Sequence, residues 1–335
     1  MNNLKYLITV FICLTVLSAA IIYLYANDNV TTLSKEDTLV VASFYPVYVA
    51  AENLVDRVDG IALKNLSEPQ TGCLHDYVLT PEDMKLLSDA DVFVINGGGI
   101  EAFLSEVAEA YPALTVVDAG INIEKASESN ENGHAHDHDD EENAHYWMSI
   151  PLYEQQIEAM RDGLYAYFST DKAVSQKDGS NRSPDDHTIN IATQIADNAS
   201  AYLSALQDLQ SRQADIAEKL AGQKVILFHE AYEYVAEDYG LEVAYLLDLD
   251  EERQVSAGEI ADVMQAIEEN GVSLILAEEQ YGKELGDLVS EETGADVIYL
   301  DTIVRGGEAD HPDAYLTRMQ NNIDLLANYA AKNKP

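Results

Sequence analysis

From residue 189 to residue 220 the chain runs without proline or glycine through a polar and apolar pattern of helical period. At 1.5 Å per residue, one continuous helix over this stretch would span roughly 48 Å, enough to bridge two lobes. Short apolar runs alternate with helical patterns on both sides of it. Before it, residues 39–43, 61–66, 92–96 and 114–118 read as strands, separated by helical patterns at 46–58, 81–90 and 100–110. Thr80 and Pro81 supply an N-cap and a first-turn proline for the second of these helices. After it, 225–228, 243–247, 274–277 and 297–300 read as strands, with helices expected at 231–239, 257–270 and 283–293. Repeated strand and helix units imply a parallel sheet covered on both faces. The expected fold class is therefore α/β, with two lobes, each built on a four-stranded parallel sheet flanked by helices.

The expected organisation has an N-terminal lobe at 37–150, including a His-rich loop at 132–145. An insertion and the interlobe helix follow at 151–220, and a C-terminal lobe at 222–333. Residues 169–186, rich in Ser, Asp, Lys and Asn, read as an inserted surface loop. At the N-terminus, Lys5 precedes an uncharged apolar run from Tyr6 to Ala26, with no acidic residue before Asp28. Residues 1–26 therefore read as an export signal, and the run is long enough that retention as a membrane anchor stays open beside cleavage. Cys13, after Phe11 and Ile12, lies too early in that run for a lipid-attachment cysteine. With the segment set aside one cysteine remains, Cys73, too few for an intramolecular disulfide, and it reads as a small buried side chain.

Charge narrows the function. Lys and Arg number 19 against 60 Asp and Glu, a net charge of −41. Such a surface repels nucleic acid and anionic lipid and concentrates cations; solubility or adaptation to salt is the alternative reason for it. Four of the eight histidines, His134, His136, His138 and His145, stand beside a run of carboxylates that includes Asp137, Asp139 and Asp140. Imidazole with carboxylate suits a borderline divalent cation.

Position supplies a second argument, because ligands of open parallel sheets bind beyond the carboxyl ends of the strands. His75 follows the second expected strand, His145 comes after the fourth, His229 sits at the end of the fifth, and Asp301 ends the eighth. Each alone could be an ordinary hydrogen-bonded residue or a turn cap. Together, three nitrogens and a carboxylate oxygen can close a tetrahedral or slightly expanded shell around Zn2+. His187 and His311 read as surface residues. The run His229-Glu230-Ala231-Tyr232-Glu233 opens like a metalloprotease helix, but Glu233 stands where the second histidine is required. Asn96-Gly97-Gly98-Gly99-Ile100-Glu101 lacks the Gly-Lys-Ser/Thr of a phosphate loop and reads as a tight strand-to-helix turn.

These residues resemble the extracytoplasmic solute-binding proteins of zinc and manganese ABC transporters, the zinc type above all. The resemblance is carried by Val40-Val-Ala-Ser-Phe-Tyr-Pro46, Gly72-Cys-Leu-His75-Asp76 with Thr80-Pro81-Glu-Asp83, and Ala90-Asp91 leading to Asn96-Gly97 and Glu101. It continues through His145-Tyr-Trp147, Phe228-His229-Glu-Ala-Tyr-Glu-Tyr234 with Tyr239-Gly240, Ala277-Glu278-Glu-Gln280, and Thr293-Gly294-Ala-Asp-Val297 ending at Leu300-Asp301. The resemblance implies two lobes joined by one long rigid helix, a single metal between them, and delivery of that metal to a membrane permease. It places the four ligand positions on His75, His145, His229 and Asp301. Manganese-type members carry a carboxylate at the third position, where imidazole here favours Zn2+ over Mn2+. The short His tract and the missing lipid-attachment cysteine depart from the family pattern.

The expected function is high-affinity zinc capture outside the cytoplasmic membrane by a monomer held at its outer face, with no enzymatic activity and no nucleic-acid partner. Asp76 and Glu278 are the expected acceptors that orient the histidines; His134, His136 and His138 are an expected accessory metal loop. A manganese receptor of the same family, a zinc hydrolase using Glu230 or Glu233 as base, and a surface adhesin are the competing readings. Four protein ligands leave a hydrolase little room for a metal-bound water.

Overall fold

The computed structural model describes residues 37–68, 71–75, 77–123, 143–170, 186–247, 249, 255–306 and 311–333. The expected export segment, Asp76, the histidines of the 132–145 loop other than His145, and nearly all of the 169–186 insertion lie outside those residues. Thr38–Pro335 group as one compact unit.

Strand β1 (Thr38–Ala42) is buried along its whole length, as an apolar run must be when helices cover both faces of its sheet. Helix α1 (Tyr45–Val55), β2 (Ile61–Asn65), α2 (Pro81–Asp89), β3 (Val92–Ile95), α3 (Leu104–Ala110) and β4 (Thr115–Asp118) follow. The capping box expected around Thr80 is formed, with Asp83 as its return partner. The strands are all parallel in the order β2-β1-β3-β4, with Val40 opposite Leu63 on one side and Val92 on the other.

The second half repeats this wiring with β5 (Lys224–Leu227), α6 (Tyr232–Asp238), β6 (Glu242–Leu246), α7 (Ala257–Asn270), β7 (Leu274–Ala277), α8 (Glu279–Thr293) and β8 (Asp296–Tyr299). Its order is β6-β5-β7-β8, again parallel. In both sheets the connections leave the first strand in opposite directions, so a crevice opens beyond the carboxyl ends of β1 and β3, and of β5 and β7.

Between the sheets run α4 (Ile150–Ser169) and the long helix α5 (Asp186–Leu220), and the chain closes with α9 (Ala314–Lys332). Helix α5 buries Ile191, Ile195, Ala199, Tyr202, Leu206, Leu209, Gln213, Ile216 and Leu220. This stripe, spaced three and four residues apart, explains why the stretch is helical and which face is covered. The helix packs on α1, α4 and α9. Tyr153 of α4 stacks on Tyr315 of α9 at 3.8 Å between ring centroids, and meets Tyr202 of α5 edge-on.

Residues 151–220 are therefore more than an insertion and one helix. Ser149 caps α4 through the Leu152 amide, and Gly163 interrupts its apolar pattern. The glycine is needed there, because a Cβ would lie 2.5 Å from Val117 Cγ1 in β4. In α9 the buried face carries Asn322, whose amide exchanges two hydrogen bonds with the Asp301 backbone at 2.9 and 2.8 Å. Helix α3 starts at Leu104 rather than at residue 100 because the preceding turn is occupied. Glu101 folds back to accept from Ser43 Oγ, Asn96 N and Gly97 N at 2.7, 2.7 and 3.2 Å. Gly97 and Gly98 have φ of +83° and +68°, and a Cβ on either would collide with Asp118 or Tyr146. This is the tight strand-to-helix turn that the missing Lys suggests.

Candidate metal centre

His145 lies just ahead of a short 3-10 turn at Tyr146–Met148. Trp147 fixes that turn. Its ring is fully buried against Phe44, its Nε1 donates to the Thr302 carbonyl at 2.7 Å, and its own carbonyl accepts from Tyr315 Oη at 2.8 Å. A segment following the first sheet is thereby fastened to the loop following the second.

His145 is 1% exposed. Its Nδ1 lies 2.9 Å from Asn143 Oδ1 and 3.3 Å from Glu230 Oε1. The amide nitrogen of Asn143 is committed to the Glu230 carbonyl and the Glu233 carboxylate at 2.9 and 3.0 Å. Its oxygen therefore faces His145, so Nδ1 carries the proton and Nε2 presents the lone pair. That Nε2 lies 3.3 Å from Cys73 Sγ. Burial, then the neighbouring His229 and His75, holds the imidazole well below its usual pKa. That shift favours the neutral imidazole, the form in which a histidine can ligate a metal.

His229 stands two residues beyond the end of β5, at the second crevice, and is 7% exposed. Its Nδ1 accepts from the Ala231 amide at 3.0 Å, which seats the ring at the start of α6. His75 comes from the loop after β2. Its Nε2 is buried with no hydrogen-bond partner, and Glu230 Oε1 is 3.8 Å away. A shielded ring nitrogen without a partner is costly, and a cation would satisfy it.

His145 stands between the other two rings. Centroids of His75 and His145 are 5.5 Å apart, and those of His145 and His229 are 5.1 Å apart. Among the described residues two ligand groups result, Cys73 with His145 and His229, and His75 with His145 and Glu230. In each, the donor atoms lie within 4.8 Å of one another.

Asp301 is engaged elsewhere. Arg318 of α9 donates from Nε to Oδ2 and from Nη2 to Oδ1, both at 2.6 Å, and the Ile303 amide donates to Oδ1 at 2.8 Å. Ile303 is buried with φ of +57°, a left-handed conformation that a β-branched residue adopts only under constraint. Glu278 accepts from Thr302 Oγ1 at 3.2 Å, and burial first, then Asp301, raises its pKa to about 7. It steadies the Asp301 loop through Thr302. The orienting acceptors of His145 are Asn143 and Glu230 instead. Asp76, His134, His136 and His138 lie outside the described residues.

Four contributors escaped the sequence reading in these roles: Asn143, Cys73, Arg318, and Glu230 as a partner of the histidines. Cys73 is half-buried and turned toward His145 rather than lost in the core. Its place two residues before His75 was the available signal. Nothing local in the sequence marks Asn143 or Arg318.

Comparison with known proteins places this cluster in context. The family model described as zinc-uptake complex component A, periplasmic, matches residues 40–181 and 190–329. The chain is 27% identical over 329 residues to the high-affinity zinc uptake system protein ZnuA of Bacillus subtilis, covering 93% of this chain and 95% of that protein. It is 25% identical over 307 residues to the manganese-binding lipoprotein MntA of Halalkalibacterium halodurans, covering 90% and 91%. The solute-binding protein FpvC of Pseudomonas aeruginosa, solved with Ni2+, shares the fold with a TM-score of 0.68 at 20% identity, covering 89% of this chain and 98% of that one. The chain thus belongs to the zinc-uptake complex component A family, and is a metal-binding solute-binding protein of the ABC type rather than an enzyme.

Proposed function

We propose that this protein captures Zn2+ outside the cytoplasmic membrane and hands it to a membrane permease. The observation that carries the reading is the place of His145, buried and oriented by Asn143, between His75 on one side and His229 on the other. Three imidazoles favour Zn2+ over Mn2+, which prefers oxygen. Asp301 is the proposed fourth ligand and reaches the ion by leaving Arg318. Relatives named for zinc uptake and for manganese binding both align over nine-tenths of the chain, so the donor set, not the likeness, argues for zinc. Export and attachment at the outer membrane face, a monomeric state, and an accessory role for His134, His136 and His138 belong to the same proposal.

The test is competition between Zn2+ and Mn2+ for the purified protein, read by a chromophoric chelator and by metal analysis. One tight equivalent of Zn2+, lost in His75→Ala and in His229→Ala, is expected. Retention of tight stoichiometric zinc in both variants, or preferential loading of Mn2+, would overturn it.

A further inference from the structure

We propose that the centre has a second, sulfur-containing donor set, Cys73 with His145 and His229, that takes thiophilic cations while Asp301 stays on Arg318. The inference rests on the reading of the histidine cluster as the cargo site and extends it to a class of ion that a purely nitrogen and oxygen shell would hold less well.

Geometry carries it. A tetrahedral zinc-like ion with metal–sulfur bonds of about 2.3 Å and metal–nitrogen bonds of about 2.0–2.1 Å separates those two donors by roughly 3.5 Å. Cys73 Sγ and His145 Nε2 are already 3.3 Å apart, and Asn143 dictates that Nε2 is the nitrogen with the lone pair. His229 completes a triad whose donor atoms all lie within 4.8 Å. The carboxylate set needs more movement, because both oxygens of Asp301 are held at 2.6 Å by Arg318. A cation that accepts sulfur therefore finds Cys73 Sγ and His145 Nε2 already in place, with His229 buried beside them. Thiolate selects soft ions over hard ones. On ligation the thiol proton leaves to solvent and the thiolate takes its place at the metal.

Cd2+ is the probe. The full protein loaded with Cd2+ should show the ultraviolet thiolate-to-cadmium charge-transfer band, and Cys73→Ser should abolish it. Cys73→Ser should also weaken Cd2+ by about tenfold or more while changing Zn2+ affinity less than about threefold. Asp301→Asn should do the reverse, weakening Zn2+ and sparing Cd2+. Absence of the band in the parent protein, its survival in Cys73→Ser, or equal losses for both ions in that variant would overturn the inference. Loss of the zinc site with the cadmium band intact would instead remove the zinc proposal and leave this one standing. Cys73→Ala, which cannot donate a hydrogen bond to His145, serves as the second variant and should behave as Cys73→Ser does.

Discussion

The guanidinium of Arg318 grips the carboxylate of Asp301 at two points, each N···O distance being 2.6 Å. A two-point fork is both strong and directional, and it points the carboxylate at a cation already present in the protein. On the proposed reading of Asp301 as the fourth ligand, an incoming zinc ion competes with that guanidinium. Replacing Arg318 by Gln removes the competitor, so zinc affinity should rise several-fold while Cd2+ affinity holds. Isothermal titration against a competing chelator measures both; weaker zinc binding would show that Asp301 needs Arg318 to hold it in place.

Asn143 fixes the proton on His145 Nδ1 and ties the same amide to the loop after β5. Loss of an acceptor that orients a metal-bound imidazole typically costs about 10–100-fold in affinity. Asn143→Ala should weaken zinc by that order, with the far-ultraviolet circular dichroism unchanged. An affinity equal to the parent's would assign the orienting role to Glu230 alone.

Trp147 fills the space between Phe44 and the Thr302 carbonyl. Truncation to Ala leaves a cavity and an unsatisfied buried carbonyl, at a cost of about 3–5 kcal/mol. Thermal or denaturant unfolding should report that loss, and zinc binding should weaken with it because His145 is anchored through the same turn. Trp147→Phe keeps most of the volume and should lose less.

Burial lifts the Glu101 pKa from its usual value near 4.5 to about 7, against the hydrogen bonds that lower it. The folded protein then holds this proton at pH values where the unfolded chain has released it. Stability from this group is fully present below pH 4.5 and is lost as pH rises through about 7. Its slope is at most about 1.4 kcal/mol per pH unit. Glu101→Gln, which cannot ionise, should flatten that part of the profile. Denaturant midpoints at several pH values between about 5 and 8 are the measurement; an identical slope in parent and variant would place the pH dependence elsewhere.

The strand and helix rhythm was legible because a parallel sheet buries both faces, so β1, β3 and β7 read as unbroken apolar runs. The long helix was legible from its length and its freedom from breakers. Helix α4 hid behind Gly163, whose purpose is a close approach to Val117 that no local pattern announces. Helix α9 hid because its buried face includes Asn322, a polar residue there to hold Asp301. The histidines were legible from their place at strand ends. Their partners were not, since Asn143 meets Glu230 and Arg318 meets Asp301 through tertiary packing alone.

The closing helix α9 leaves the second sheet and packs back against α1 and α5. Asn53 of α1 also donates to the Pro312 carbonyl at 2.6 Å. The two sheets are therefore spanned twice, outward by α5 and back by α9. A hinge turning about a single strap would have to bend one helix; here it would have to shear a bundle and its stacked tyrosines as well. The loops that carry Cys73, His75, Asn143 and Asp301 are thereby mounted on a frame braced by two helices rather than one.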